Sequence, residues 1–153
     1  RGEEVRAGES HAAFVTIDLA RGRVAADTRS ENLEFPRVDP RVVARRNRHV
    51  FYPVAATADA QTLNGVMRLD MDTGKTDIAS MGAGVSLEEH VMVPKPGSTK
   101  EGEGWLVGVG FDARRQTSFA TVFDAMNLAA GPVAIARLPY WTPYCFHGHF
   151  YNA

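Results

Sequence analysis

Residues 14–19 place Val15, Ile17 and Leu19 on one side of an extended chain, and Phe14, Thr16 and Asp18 on the other. That two-residue period belongs to a β-strand, and it constrains this sequence more than any other feature. The aromatic and β-branched run 49–56 reads the same way, as do 65–70, 91–94, 105–111, 119–124 and 133–138. Helical periodicity is nearly missing; only 125–130, stopped by Gly131-Pro132, reads as a single turn of helix. With 14 Gly and 8 Pro among 153 residues, about one residue in seven punctuates the chain, which suits short strands and turns. In the Trp105 run, Leu106, Gly108 and Gly110 share a face, which predicts close approach of another backbone or sheet there.

An internal repeat accompanies the alternation. An apolar strand ends in Asp and a turn at Asp18, again at Asp70 and again at Asp112, at spacings of 52 and 42 residues. Each site reads as a hairpin. The spacing lies near that of β-propeller blades, with about three blades for this length.

Charge and composition exclude several classes. Seventeen Lys and Arg against eighteen Asp and Glu leave a net charge of −1, without the basic footprint of a nucleic-acid binder. A single cysteine, Cys145, excludes an intrachain disulfide framework and is compatible with a reducing cytosol. No apolar run reaches the length of a spanning helix. The sequence opens on Arg1, in mid-stride, and reads as a segment of something longer.

Four stretches could carry chemistry. In Tyr144-Cys145-Phe146-His147-Gly148-His149-Phe150-Tyr151, an extended chain would project Cys145, His147, His149 and Tyr151 to one side. Imidazoles two apart, with a thiolate near, can ligate a metal; the same pattern also fits aromatic and histidine side chains half buried in a sheet. In Leu33-Glu34-Phe35-Pro36-Arg37-Val38-Asp39-Pro40-Arg41, Glu34 lies between apolar residues and would need a partner if buried. A surface loop with a Glu34–Arg37 or Arg37–Asp39 ion pair is the other reading. In Glu88-Glu89-His90-Val91-Met92-Val93-Pro94, Glu89 shares a face with Val91 and Val93, ahead of a polar loop over 98–104. The cluster Arg45-Arg46-Asn47-Arg48 could hold an anion or serve as a solvated connector. There is no phosphate loop, nucleophile elbow, Cys-x-x-Cys or His-Glu-x-x-His.

Four segments in order, EFPRVDPR (34–41), EEHVMVPKPG with EGWLVGVGFD (88–112), FDAMNLAAGPVAIARLP (123–139) and PYCFHG (143–148), resemble the carotenoid cleavage oxygenases. That family also holds lignostilbene dioxygenases and the retinal pigment epithelial membrane protein. The resemblance implies an all-β fold, the C-terminal portion, about three blades, of a seven-bladed β-propeller. Residues 1–153 would then be one partial propeller domain truncated on its N-terminal side. It implies a parent dioxygenase that uses non-haem ferrous iron, Fe(2+), and O2 to cleave a C=C bond of a carotenoid, apocarotenoid or stilbene-type substrate. By the same resemblance His147 is an iron ligand, and Glu34 and Glu89 are glutamates that hydrogen-bond ligand imidazoles. Such a carboxylate fixes a ligand ring's tautomer and orientation. The partners implied are an apolar polyene or stilbene-like molecule and O2, no nucleic acid, and peripheral membrane contact of a cytoplasmic parent.

By the same resemblance the other three ligand histidines would lie upstream of Arg1, since His11, His49 and His90 do not stand in ligand motifs. Cys145 stands where the family usually has Gly, and His90 where Pro commonly follows the glutamate. A non-catalytic propeller segment acting as a binding scaffold, and a small metal module built on Cys145, His147 and His149, are the alternative readings.

Overall fold

The structure is a computed structural model that describes residues 10–57 and 59–151; the ends of the 1–153 domain lie outside the described residues. Strands β1 (Ala13–Asp18) and β2 (Arg23–Thr28) form an antiparallel hairpin. A four-stranded meander follows, from β3 (Arg37–Val38), β4 (His49–Val54), β5 (Gly65–Asp70) and β6 (Thr76–Ser80). A second meander consists of β7 (Val85–Pro94), β8 (Gly104–Asp112), β9 (Thr117–Asp124) and β10 (Pro132–Arg137). Successive antiparallel four-stranded sheets packed face to face are blades of a β-propeller. The chain is all-β, as its alternation requires.

Strand alternation decides which residues fill the two cores. From the first blade, Phe51, Val66 and Ala79 pack against Leu87, Met92, Leu106, Phe119 and Phe123 of the second. The opposite face of the first blade buries Val50, Tyr52, Val54, Met67 and Leu69 against Leu33, with Ala12 and Phe14 of the hairpin packed on them. Every residue of β4 is therefore buried, as expected of a strand covered on both faces.

The Asp repeat is turn chemistry. Asp18 Oδ1 accepts the Arg21 N–H at 3.0 Å. Asp70 Oδ1 accepts those of Asp72 and Thr73, and Asp112 Oδ1 those of Arg114 and Arg115. Four residues after each Asp the chain turns through positive φ, at Gly22, Gly74 and Gln116. All three sites are hairpins: β1–β2, β5–β6 and β8–β9.

Buried and half-buried carboxylates tie the blades together. Asp39, fully buried, accepts from the Arg41 guanidinium and from the backbone N–H of Arg41 and Gly102. Glu101 accepts the N–H groups of Arg48 and His49, and Asp77 those of Leu128 and Ala129.

Several sequence expectations change. The helical turn over 125–130 is a 3-10 turn at Leu128–Ala130, and a second one occurs at Pro40–Val42. The strand expected over 91–94 starts six residues earlier, at Val85. The close approach expected at the β8 glycines comes from β7 and β9: a Cβ on Gly108 would lie 2.5 Å from His90 Nδ1 and 2.7 Å from the Glu89 carbonyl, and one on Gly110 2.7 Å from the Phe119 ring and 2.9 Å from the Ser86 carbonyl. Residues 143–151 form no strand, so the one-sided display of Cys145, His147, His149 and Tyr151 does not arise. Polar side chains hold part of this segment: Ser118 Oγ accepts the Thr142 N–H, and Glu89 accepts that of Gly148.

Candidate metal centre

The site begins with a β-bulge in β7. Leu87 pairs with Gly110 and His90 with Gly108, so Glu88 and Glu89 together oppose Val109. The extra residue turns His90 inward against Phe123 and leaves both glutamates facing the C-terminal segment. Gly148 lies over Val91 on this same face.

Glu89 is buried and takes four donors. Its Oε1 accepts from Arg37 Nε at 2.8 Å and lies 3.4 Å from His147 Nδ1. Its Oε2 accepts from the second Arg37 nitrogen at 2.6 Å and from the Gly148 N–H at 2.7 Å. Burial pushes the Glu89 pKa up, but the bonds from Arg37, Gly148 and His147 outweigh it and hold the carboxyl below its ordinary value. An ionised carboxylate can only accept, so the neutral tautomer of His147 that suits this contact has its proton on Nδ1 and its lone pair on Nε2. The His147 side chain is 75% exposed, which leaves that lone pair open.

Glu34 occupies the far side of the same motif. Its Oε1 accepts the Ser10 hydroxyl at 2.5 Å, and it lines a cleft of about 700 Å3 with Phe14, Leu33, Tyr52 and Phe146. The next residue, Phe35, turns with φ of 50°, a costly conformation for a bulky side chain. That turn sets its ring edge-on to His147, centroids 5.7 Å apart, and 6.2 Å from Phe146. The structure thus joins Glu89 to His147 by a hydrogen bond and Glu34 to the same neighbourhood through Phe35.

Neither the Glu34–Arg37 nor the Arg37–Asp39 ion pair of the loop reading forms. Arg37 reaches Glu89, 52 residues away, and Asp39 pairs with Arg41. Sequence reasoning missed Arg37 as part of the site, because its partner lies on another blade. It also missed Glu88, which burial pushes above the ordinary carboxylate range against the opposing Cys145 N–H bond. Cys145 is exposed, with its thiol toward the Pro143 carbonyl, and His149 packs at a tilt against Tyr151. Among the described residues no three His, Cys, Asp or Glu side chains are grouped to hold a metal. Of the basic cluster, Arg46 pairs with Asp72 and Arg48 with Asp70 and Asp72, the behaviour of a solvated connector. Among the described residues no helix is long and apolar enough to cross a membrane.

Fold and site together define a propeller that sets an exposed imidazole against a buried carboxylate. The chain belongs to the carotenoid cleavage oxygenase family: the profile of the retinal pigment epithelial membrane protein matches residues 3–152. The apocarotenoid-15,15'-oxygenase of Synechocystis is 31% identical over 87% of this chain and 28% of its own length. Lignostilbene-alpha,beta-dioxygenase isozyme III of Sphingomonas paucimobilis is 31% identical over 78% of the chain and 26% of its own length. The solved structure of cobalt-substituted Synechocystis apocarotenoid oxygenase superposes with a TM-score of 0.85 at 28% identity, over 91% of this chain and 29% of that one. The chain therefore spans between a quarter and a third of the length of these relatives.

Proposed function

We propose that this chain is part of a non-haem iron dioxygenase that uses O2 to cleave one C=C bond of an apolar polyene or stilbene-type substrate. The Glu89–His147 pair carries the reading. A carboxylate that fixes the protonated Nδ1 leaves Nε2 as the only donor, which is how a neutral imidazole is prepared for a divalent metal. His147 is then one ligand among several. Glu34, 55 residues upstream of Glu89, is set to orient an imidazole supplied by another part of the protein. When bound, ferrous iron supplies the activation of O2 that the alkene cannot achieve alone. The chain's own contribution is to hold the His147 ring, through Glu89 behind it and Phe35 against it, so that its free nitrogen keeps one direction.

The substrate class follows from relatives named for apocarotenoids, carotenoids and lignostilbenes. Such molecules partition into membranes, and the reading places the parent enzyme in the cytoplasm with peripheral membrane contact. The decisive experiment compares the full-length enzyme with its His147→Ala form for iron content and O2-dependent cleavage. Loss of both is expected. Unchanged iron and turnover would remove His147 from the ligand set and defeat the reading.

A further inference from the structure

We infer that Arg37 is a positioning residue of the metal centre: its guanidinium fixes the Glu89 carboxylate and the Gly148 carbonyl, and thereby the direction of the His147 ring. The inference rests on the reading of His147 as a ligand and adds to it a residue from a different strand.

Three stretches remote in sequence meet at this guanidinium. Nε and one terminal nitrogen take the two oxygens of Glu89 at 2.8 and 2.6 Å, a two-point contact that fixes the carboxylate plane. The same terminal nitrogen donates to the Gly148 carbonyl at 2.9 Å, one residue beyond His147. Gly148 is gripped at both ends, since its N–H goes to Glu89.

That grip matters because residues 143–151 belong to no sheet. A ladder would fix the His147 backbone through repeated hydrogen bonds; here the Glu89–Gly148–Arg37 ring supplies that constraint beside the histidine. Glu89 itself leaves β7 at a bulge, where the ladder is interrupted and its direction is less determined. Arg37 leaves the short strand β3, which pairs with β4 at Arg37↔Phe51, and Leu33 bridges to Val54 just upstream. The guanidinium thus links three backbone segments that no shared ladder joins at this point. Lysine cannot replace it, because an ammonium lacks the fork that takes two carboxylate oxygens at once.

The test uses the full-length enzyme and its Arg37→Gln, Arg37→Lys, Glu89→Gln and Arg37→Gln/Glu89→Gln forms. Fe(II) affinity is measured by chelator competition, the visible ligand-field spectrum after Co(II) substitution, and thermal midpoints without metal. Arg37→Gln is expected to weaken Fe(II) binding on the order of tenfold and to shift the Co(II) bands. Arg37→Lys should fail to restore the spectrum. Adding Glu89→Gln to Arg37→Gln should cost less than the two single losses combined, since both act through one carboxylate. Should Arg37→Gln not fold, Arg37→Lys, which keeps charge and stem, answers the same question. Wild-type affinity and spectrum in the Arg37 variants, even with lowered thermal midpoints, would reduce the residue to a cohesive ion pair and overturn the inference. His147→Ala, measured alongside, separates the failures: if it retains iron, the ligand reading itself is lost.

Discussion

His90 shows how burial inside the sheet sets the protonation of a single residue. Its ring is 2% exposed, with Nδ1 at 2.8 Å from the Glu88 carbonyl and Nε2 at 2.7 Å from the Thr121 hydroxyl. The carbonyl can only accept, so Nδ1 carries the proton and Nε2 accepts from Thr121. Burial pushes the His90 pKa down to about 4, against the opposing bond to Glu88, from an ordinary 6.5. The unfolded chain therefore binds a proton below that value while the folded one refuses it. Stability from this residue is complete above pH 6.5, falls as pH drops towards 4, and levels off below. The total is roughly 3 kcal/mol. Thermal midpoints of the wild type and His90→Gln, taken across this range, check it: the glutamine form should lose less stability on acidification, and equal losses would refute the assignment. The sequence marks His90 only as a departure from a usual Pro. That it shares a face with Leu87 rather than with Glu88 follows from the bulge, and a bulge is defined by the partner strand, which no local pattern reveals.

At the scale of elements, the hairpins were the most legible part of the sequence, and their chemistry explains why. An Asp side chain that accepts backbone N–H groups two or three residues on is a local device, so it leaves a local trace. Returning strands without an inward apolar stripe left less: β2, Arg23–Thr28, is exposed along its whole length. The first half of β7 was hidden by its charged Glu88-Glu89-His90 run, and the C-terminal segment invited a strand reading that its side-chain anchors replace. The three turns also differ in one testable respect. Gly22 and Gly74 take positive φ without cost, whereas Gln116 adopts φ of 54° with a side chain. A Cβ at Gly74 meets nothing within 4 Å, so Gly74→Ala should cost about 1 kcal/mol from the backbone alone. Gln116→Gly relieves the same strain and should raise the thermal midpoint, even though the bond from Gln116 Nε2 to the Ala113 carbonyl is lost. A lowered midpoint in Gln116→Gly would mean that this bond outweighs the strain.

On the scale of the whole molecule, the site was legible through ordered family segments and not through spacing. Glu34, Glu89 and His147 are 55 and 58 residues apart, too far for any periodic argument, and it is the fold that brings Glu89 and His147 together. The same dispersal predicts how the 153-residue chain behaves by itself. It offers one imidazole backed by a carboxylate, and a metal site gains most of its affinity from several donors held ready together. Val15 and Ile17 on β1, Leu19 in the turn after it, and Trp141 and Phe146 near the C-terminus are each more than half exposed. Apolar surface of that extent, with strand edges unpaired at both blades, favours association. The isolated chain should therefore take up little Fe(II) at concentrations that saturate the full-length enzyme, and its light scattering should rise with protein concentration. Equilibrium dialysis against Fe(II), followed by iron analysis of both proteins, gives the comparison. One tightly held iron per isolated chain, lost on His147→Ala, would show that this segment completes a metal site alone, and the picture of ligands dispersed over a larger propeller would fall.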